Sequence, residues 1–165
     1  MKELYLIRHA KSDWSIDGLA DIDRALNSRG YNDAHAVGKY LRSNGIFPQT
    51  MITSPAIRAL STALIISQEI SFPKQKIFIE PKLYETGLKE HLAVIRAVKK
   101  ETSSVFLFGH NPVLSELCNY LSAGNSEMPT CAIARFTILD DNWNKLSNDK
   151  AEFIEMITPK TIPLT

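Results

Sequence analysis

The chain has 165 residues, 44% of them hydrophobic and 22% charged, with a formal net charge of +1. That length suits a single domain over residues 1–165, at about 100–200 residues per domain, and is enough to bury one sizeable core. Near-neutral charge without a long charged run disfavours nucleic acid or an anionic membrane surface as partner, and no stretch of about 18 apolar residues offers a membrane span.

Residues 3–8 open the chain as a short apolar, β-prone strand, with no signal-peptide pattern ahead of it, so a cytoplasmic protein is expected. A helix follows over 28–43, with Tyr31, Ala34, Val37, Gly38 and Leu41 on one face and Asn44-Gly45 as its stop. Residues 50–54 form a second strand. Ser54 then reads as the cap and Pro55 as the first residue of a helix that runs to about Ile70. Residues 76–80 give a third strand, and 87–99 a helix with Leu88, Leu92, Ile95 and Val98 inward. The run 104–109 is apolar throughout, as a strand covered on both faces should be. Asn111-Pro112 repeats the cap-then-proline signal before a helix that buries Leu114, Leu117, Cys118 and Leu121. Two further strands, 132–139 and 151–157, flank a polar turn region and read as an antiparallel or edge hairpin. Alternation of strands and helices predicts an α/β fold of three layers, a mostly parallel central sheet with helices on both faces. Cys118 and Cys131 sit in apolar surroundings and read as buried, reduced thiols.

Ligands of such sheets bind beyond the carboxyl ends of the strands. Three of those ends carry unusual residues: Arg8-His9 after the first strand, Ser54-Pro55 with Arg58 one turn on, and His110 after the fourth. Two of the junctions also aim a helix N-terminus at that edge, which favours an anion. Arginines add a planar fork that holds two oxygens, so a phosphoryl group is the expected ligand. A clamp alone needs no imidazole pair. One neutral imidazole is a competent nucleophile, with nearby arginines repelling a proton from it, and the second would stabilise charge on the transferring oxygens. Each piece taken singly has a plainer reading: a hydrogen-bonded histidine at a strand end, a surface arginine, a capping turn. Their joint placement at equivalent strand ends is what points to chemistry. The four histidines (9, 35, 91, 110) show no HExxH or ligand spacing, so neither metal nor cofactor is implied. His35 and His91 lie on helices among polar neighbours and read as solvated.

These motifs resemble the histidine phosphatase superfamily, whose fold is that of cofactor-dependent phosphoglycerate mutase. "RHAKSDWS" (8–15) is similar to its RHGESxWN signature, "SPAIRALSTA" (54–63) to its S-P-x-x-R-A-x-x-T-A block and "FGHNP" (108–112) to its second-histidine block. "RALNSRG" (24–30) is similar to the stretch opening the first helix. The matches keep the family's order across residues 4–115; the last 50 residues match nothing comparable. The resemblance implies that His9 is the phosphorylated nucleophile and that Arg8, Arg58 and His110 bind the phosphoryl group. It also makes Glu85, in "LYE", a candidate proton donor, although Glu85 reads equally as an exposed loop carboxylate. Ala10 stands where the family has glycine, Lys11 where glutamate is common, and Ser15 where an asparagine often contacts phosphate. Trp14 reads as pocket wall or core.

Within the family, the short stretch from Pro81 to Gly87 leaves little cover and an open, shallow site. With "RHA" and "GHNP", this is most similar to the SixA-type phosphohistidine phosphatases. The resemblance thus implies a metal-independent hydrolase that takes a phosphoryl group from phosphohistidine on a partner protein through an intermediate on His9. The alternatives are a phosphatase of a small phosphomonoester, using the same residues, and a non-catalytic phosphate-binding module. A mutase is disfavoured for want of a covering insertion. The sequence carries no signal for an oligomeric state.

Overall fold

The computed structural model describes residues 1–163. The strands are β1 (Lys2–Arg8), β2 (Thr50–Thr53), β3 (Ile77–Ile79), β4 (Ser104–Gly109), β5 (Ile133–Ile138) and β6 (Ala151–Ile157); the helices are α1 (Ser28–Ser43), α2 (Ile57–Glu69), α3 (Leu88–Arg96) and α4 (Val113–Ser122). One sheet holds the six strands in the order β3-β2-β4-β1-β5-β6. The first four run parallel, whereas β5 lies antiparallel to β1 and β6 antiparallel to β5. The expected mostly parallel sheet is therefore mixed: the helices supply parallel crossovers as far as β4, and the last two strands return as the expected antiparallel hairpin.

Every residue of β4 is buried, and its side chains alternate between two cores. Val105 and Leu107 face α3 and α4 with Leu4, Leu6, Leu92, Ile95, Leu114 and Leu117. Phe106 and Phe108 face α1 and α2 with Tyr5, Ile7, Val37, Leu41 and Ile66. Period-2 alternation on a sheet covered by helices on both faces gives the three layers. Truncating Phe106 or Phe108 to alanine would cost about 3–5 kcal/mol.

Helix α1 begins where the side chain of Asn27 accepts the N–H of Gly30 (2.8 Å), and it stops at Asn44, with Gly45 in the left-handed region. Its buried face is Gly30, Ala34, Val37, Gly38 and Leu41; Tyr31, expected inward, is 45% exposed. Gly30 takes that place because α1 presses on the loop after β1. A Cβ on Gly30 would stand 2.1 Å from the Lys11 carbonyl oxygen. The polar stretch between β5 and β6 is also more structured than a turn. It buries Trp143, whose Nε1 donates to the Thr102 carbonyl (2.8 Å), while Arg96 donates to the Leu146 carbonyl. Cys118 and Cys131 are free and buried. Among the described residues no helix is long and apolar enough to cross a membrane.

Candidate active site

Parallel register brings three strand ends level. Arg8 pairs with Gly109 and Thr53 with Phe108; the His9 N–H then donates to the Gly109 carbonyl and the Ser54 N–H to that of Phe108. His9, Ser54 and His110 thus leave the sheet along one edge, and the rings of His9 and His110 stand 5.1 Å apart. Arg58 follows in the first turn of α2. One turn later Thr62 donates its hydroxyl to the Arg58 carbonyl (2.7 Å) and accepts the Ala10 N–H (3.0 Å), so the arginine and threonine of one helical face tie α2 to the loop after His9. Ala10 is fully buried there, so a methyl group fits where the family has glycine.

Two hydrogen bonds decide the state of the imidazoles. His9 Nδ1 lies 2.7 Å from the Ala10 carbonyl oxygen, which can only accept. Nδ1 carries the proton, and Nε2 keeps its lone pair. Burial first, then the charges of Arg58, Arg8 and Arg24, push the His9 pKa down to about 4, against the Ala10 bond that favours protonation. Burial thus leads where arginine repulsion was expected to. His110 Nε2 lies 2.8 Å from Ser54 Oγ, which also accepts the Ala56 N–H. Ser54 is fully buried, so its own proton goes to His110 Nε2 and leaves the ring proton on Nδ1. Burial and the neighbouring His9 hold His110 neutral, its pKa down to about 3. Ser54 is therefore not the cap of α2, which starts at Ile57 after an Ala56 cap position.

The arginines are anchored from behind. Arg8 donates to the Met128 carbonyl (2.9 Å), which also accepts from Asn111 Nδ2 (2.9 Å). Arg58 donates to the Asp21 carbonyl (2.8 Å) and carboxylate (3.0 Å). Asp21 also receives Arg24 Nε (3.1 Å) and the Tyr84 hydroxyl (2.7 Å), and these bonds, Tyr84's foremost, hold its carboxyl well below the usual range. Burial and the Asp21 charge push Tyr84 up to about 12, so it stays a donor; its ring meets His110 edge-on at 5.6 Å. Trp14, 70% exposed, stacks on the Arg24 guanidinium (3.4 Å) and is neither core nor pocket wall.

With these bonds made, Arg8 Nε, Arg58 Nε and His110 Nδ1 remain buried without a partner among the described residues. A cavity of about 240 Å³ is bounded by Arg58 and His110, by Leu83–Thr86, and by Asn111–Val113, while Arg8 and His9 lie outside its lining. The short 81–87 segment supplies one side of that cavity through Leu83–Thr86. Glu85 sits exposed on that wall with a left-handed backbone (φ 55°). His91, expected to be solvated, is 2% exposed and lines the same cavity. The sequence assigns no site role to Asp21, Arg24, Tyr84 or the Met128 carbonyl, and reads Asn111 only as a helix cap. Among the described residues no group of three or more His, Cys, Asp or Glu could hold a metal ion.

The family model of the histidine phosphatase superfamily (branch 1) matches residues 4–92, more than half of the chain. The chain belongs to this superfamily. An uncharacterized chloroplastic protein of Arabidopsis thaliana is 28% identical over 152 residues, covering 87% of this chain and 70% of its own. A 2,3-bisphosphoglycerate-dependent phosphoglycerate mutase of Dichelobacter nodosus is 31% identical over 110 residues, but the match spans only 43% of the mutase and 64% of this chain. Among solved structures, the SixA-designated phosphohistidine phosphatase of Agrobacterium tumefaciens superposes with a TM-score of 0.80 at 25% identity, over 96% of this chain and 98% of that one. The protein histidine phosphatase SixA complexed with tungstate gives 0.81 at 20%, over 96% and 97%. Superfamily membership and these neighbours support phosphatase activity.

Proposed function

We propose that the protein hydrolyses phosphohistidine on a partner protein, with His9 as nucleophile. The observation that carries this reading is the set of three buried donors without a partner among the described residues, Arg8 Nε, Arg58 Nε and His110 Nδ1, on the strand end, helix turn and strand end nearest His9, a neutral imidazole with a free Nε2 lone pair. Buried donors without acceptors are costly, about 1–3 kcal/mol each, so a site that keeps three is built for an anion. Tungstate, held by the SixA neighbour, is a tetrahedral oxyanion of the same class.

His9 Nε2 attacks phosphorus; the new N–P bond forms as the bond to the leaving atom breaks and that atom takes the electron pair. The three donors hold the oxygens whose charge is redistributed. A water oxygen then attacks phosphorus, and Nε2 recovers its pair as inorganic phosphate departs. An imidazole leaves readily, so transfer from one imidazole to another needs positioning more than a strong acid. The step routes through protein donors alone, and excess chelator is expected to leave turnover unchanged; loss restored by added metal would overturn that point.

Glu85 on the cavity wall favours a second reading, since a carboxyl there could protonate an alkoxide leaving from a small phosphomonoester. Mass spectrometry of the acid-labile phosphoenzyme, formed from a phosphohistidine protein and from a panel of phosphomonoesters, separates the readings. The first expects label on His9 and faster transfer from the protein. His9→Ala should fold normally and turn over neither substrate. Near wild-type turnover in that variant would reject the nucleophile, and no label with intact phosphate binding would mark a non-catalytic module.

A further inference from the structure

Nothing in the chemistry above uses His91, although its imidazole is more enclosed than that of His9, at 2% against 7% exposure. It sits in the first turn of α3, where His91 Nδ1 lies 2.8 Å from the Gly87 carbonyl oxygen. A carbonyl only accepts, so Nδ1 carries the ring proton and Nε2 presents a lone pair. That Nε2 is buried with no partner among the described residues, and the residue lines the cavity that Arg58 and His110 also bound. Burial lowers its pKa and keeps the ring neutral. The site therefore holds two opposite kinds of unmet demand: three donors at the phosphoryl cup and one acceptor along the cavity beside it.

The acceptor calls for an N–H or O–H on whatever leaves phosphorus. A phosphoimidazole supplies one. Its phosphorus sits on one ring nitrogen, and with a proton on the other the ring departs as neutral imidazole. The P–N bond breaks, its electron pair returns to the nitrogen that held phosphorus, and the far N–H is kept. Without that proton the ring would have to leave as an anion. Resting on the phosphohistidine reading, we propose that His91 is a specificity-determining residue whose Nε2 accepts the far N–H of the leaving imidazole. It fixes the ring in its protonated form, so the substrate brings its own acid and Glu85 is not needed for this leaving group. His91 also disfavours leaving groups that offer no donor, because these would leave its lone pair unmet.

The test uses the full chain, turning over p-nitrophenyl phosphate, and imidazole as a stand-in for the leaving ring. At about pH 8.5 imidazole and 1-methylimidazole are both neutral, and only imidazole has an N–H. Imidazole should inhibit the wild type about tenfold more strongly than 1-methylimidazole does. His91→Leu should erase that difference, and His91→Gln, whose amide oxygen also accepts, should keep most of it. Inhibition by inorganic phosphate, read in parallel, reports the donor cup. Equal inhibition of the wild type by the two azoles would overturn the proposal without any variant. So would a His91→Leu protein in which imidazole and phosphate inhibition weaken together. A wild type that prefers the N–H azole yet fails to dephosphorylate a phosphohistidine protein would remove the functional reading while leaving the acceptor assigned.

Discussion

Ser54→Ala tests the tautomer on which the donor cup depends. The Ser54 hydroxyl donates to His110 Nε2, and this holds the ring proton on Nδ1, where it faces no protein acceptor. Without the hydroxyl the proton is free to move to Nε2, and on the proposed mechanism a lone pair then meets the phosphoryl oxygens. One of three donors is lost and a repulsion is gained. Removal of one donor of this kind costs about 10²–10³ in rate, and because phosphoryl charge is spread over three oxygens the lower end applies, about 100-fold in kcat/KM. Stability should fall by about 1–3 kcal/mol, since the Ala56 N–H and His110 Nε2 lose their partner in a fully buried spot. Steady-state turnover of p-nitrophenyl phosphate measures the first effect and denaturant unfolding the second. Imidazole nitrogen shifts report the proton directly. Turnover within about threefold of wild type, with the His110 proton still on Nδ1, would refute the assigned role.

Stability should also depend on pH in a way the two site imidazoles set. The folded protein holds His9 down at about 4 and His110 at about 3. The unfolded chain takes up its protons near about pH 6.5, so it binds more protons than the native state below that point. Stability is retained above about pH 6.5 and falls as pH drops toward 4, by about 1.4 kcal/mol per unit for each group. Denaturant midpoints unchanged between about pH 7 and about pH 5 would contradict the buried neutral pair. Gly30→Ala should destabilise, although helix propensity alone would make it favourable by about 1 kcal/mol. Its Cβ would stand 2.1 Å from the Lys11 carbonyl oxygen, and a drop in Tm of about 5 °C, with weakened turnover, is expected.

The sequence is most legible where periodicity is strong and chemistry sits at strand ends. The strand 104–109 and the helix 28–43 match their expected bounds because one is apolar throughout and the other has a clear cap and stop. Arg8, His9 and His110 come together because equivalent ends of neighbouring parallel strands must, and Arg58 joins them from the first turn of the helix after β2. His91 reads as solvated beside Lys89 and Glu90, whereas Leu88, His91, Leu92 and Ile95 form one helical stripe that places it inward. Asp21 and Arg24 lie in a stretch without periodicity, and their bonds to Arg58 and Ser12 are set by tertiary packing alone. Trp143 carried a signal that the polar turn concealed, as a large indole among asparagines and aspartates is rarely left in water.

Strand β1 delivers Arg8, with His9 just after it, yet both of its neighbours in the sheet, β4 and β5, come from Ser104 onward. The Arg8 N–H rests on the Ala132 carbonyl, Arg8's guanidinium on that of Met128, and the His9 carbonyl on the Cys131 N–H. A fragment ending before Met128 would thus carry every signature residue of the family and still lack the backbone that aims them. The segment leading into β5 therefore fixes the orientation of Arg8 and His9 from far downstream of the motifs that contain them.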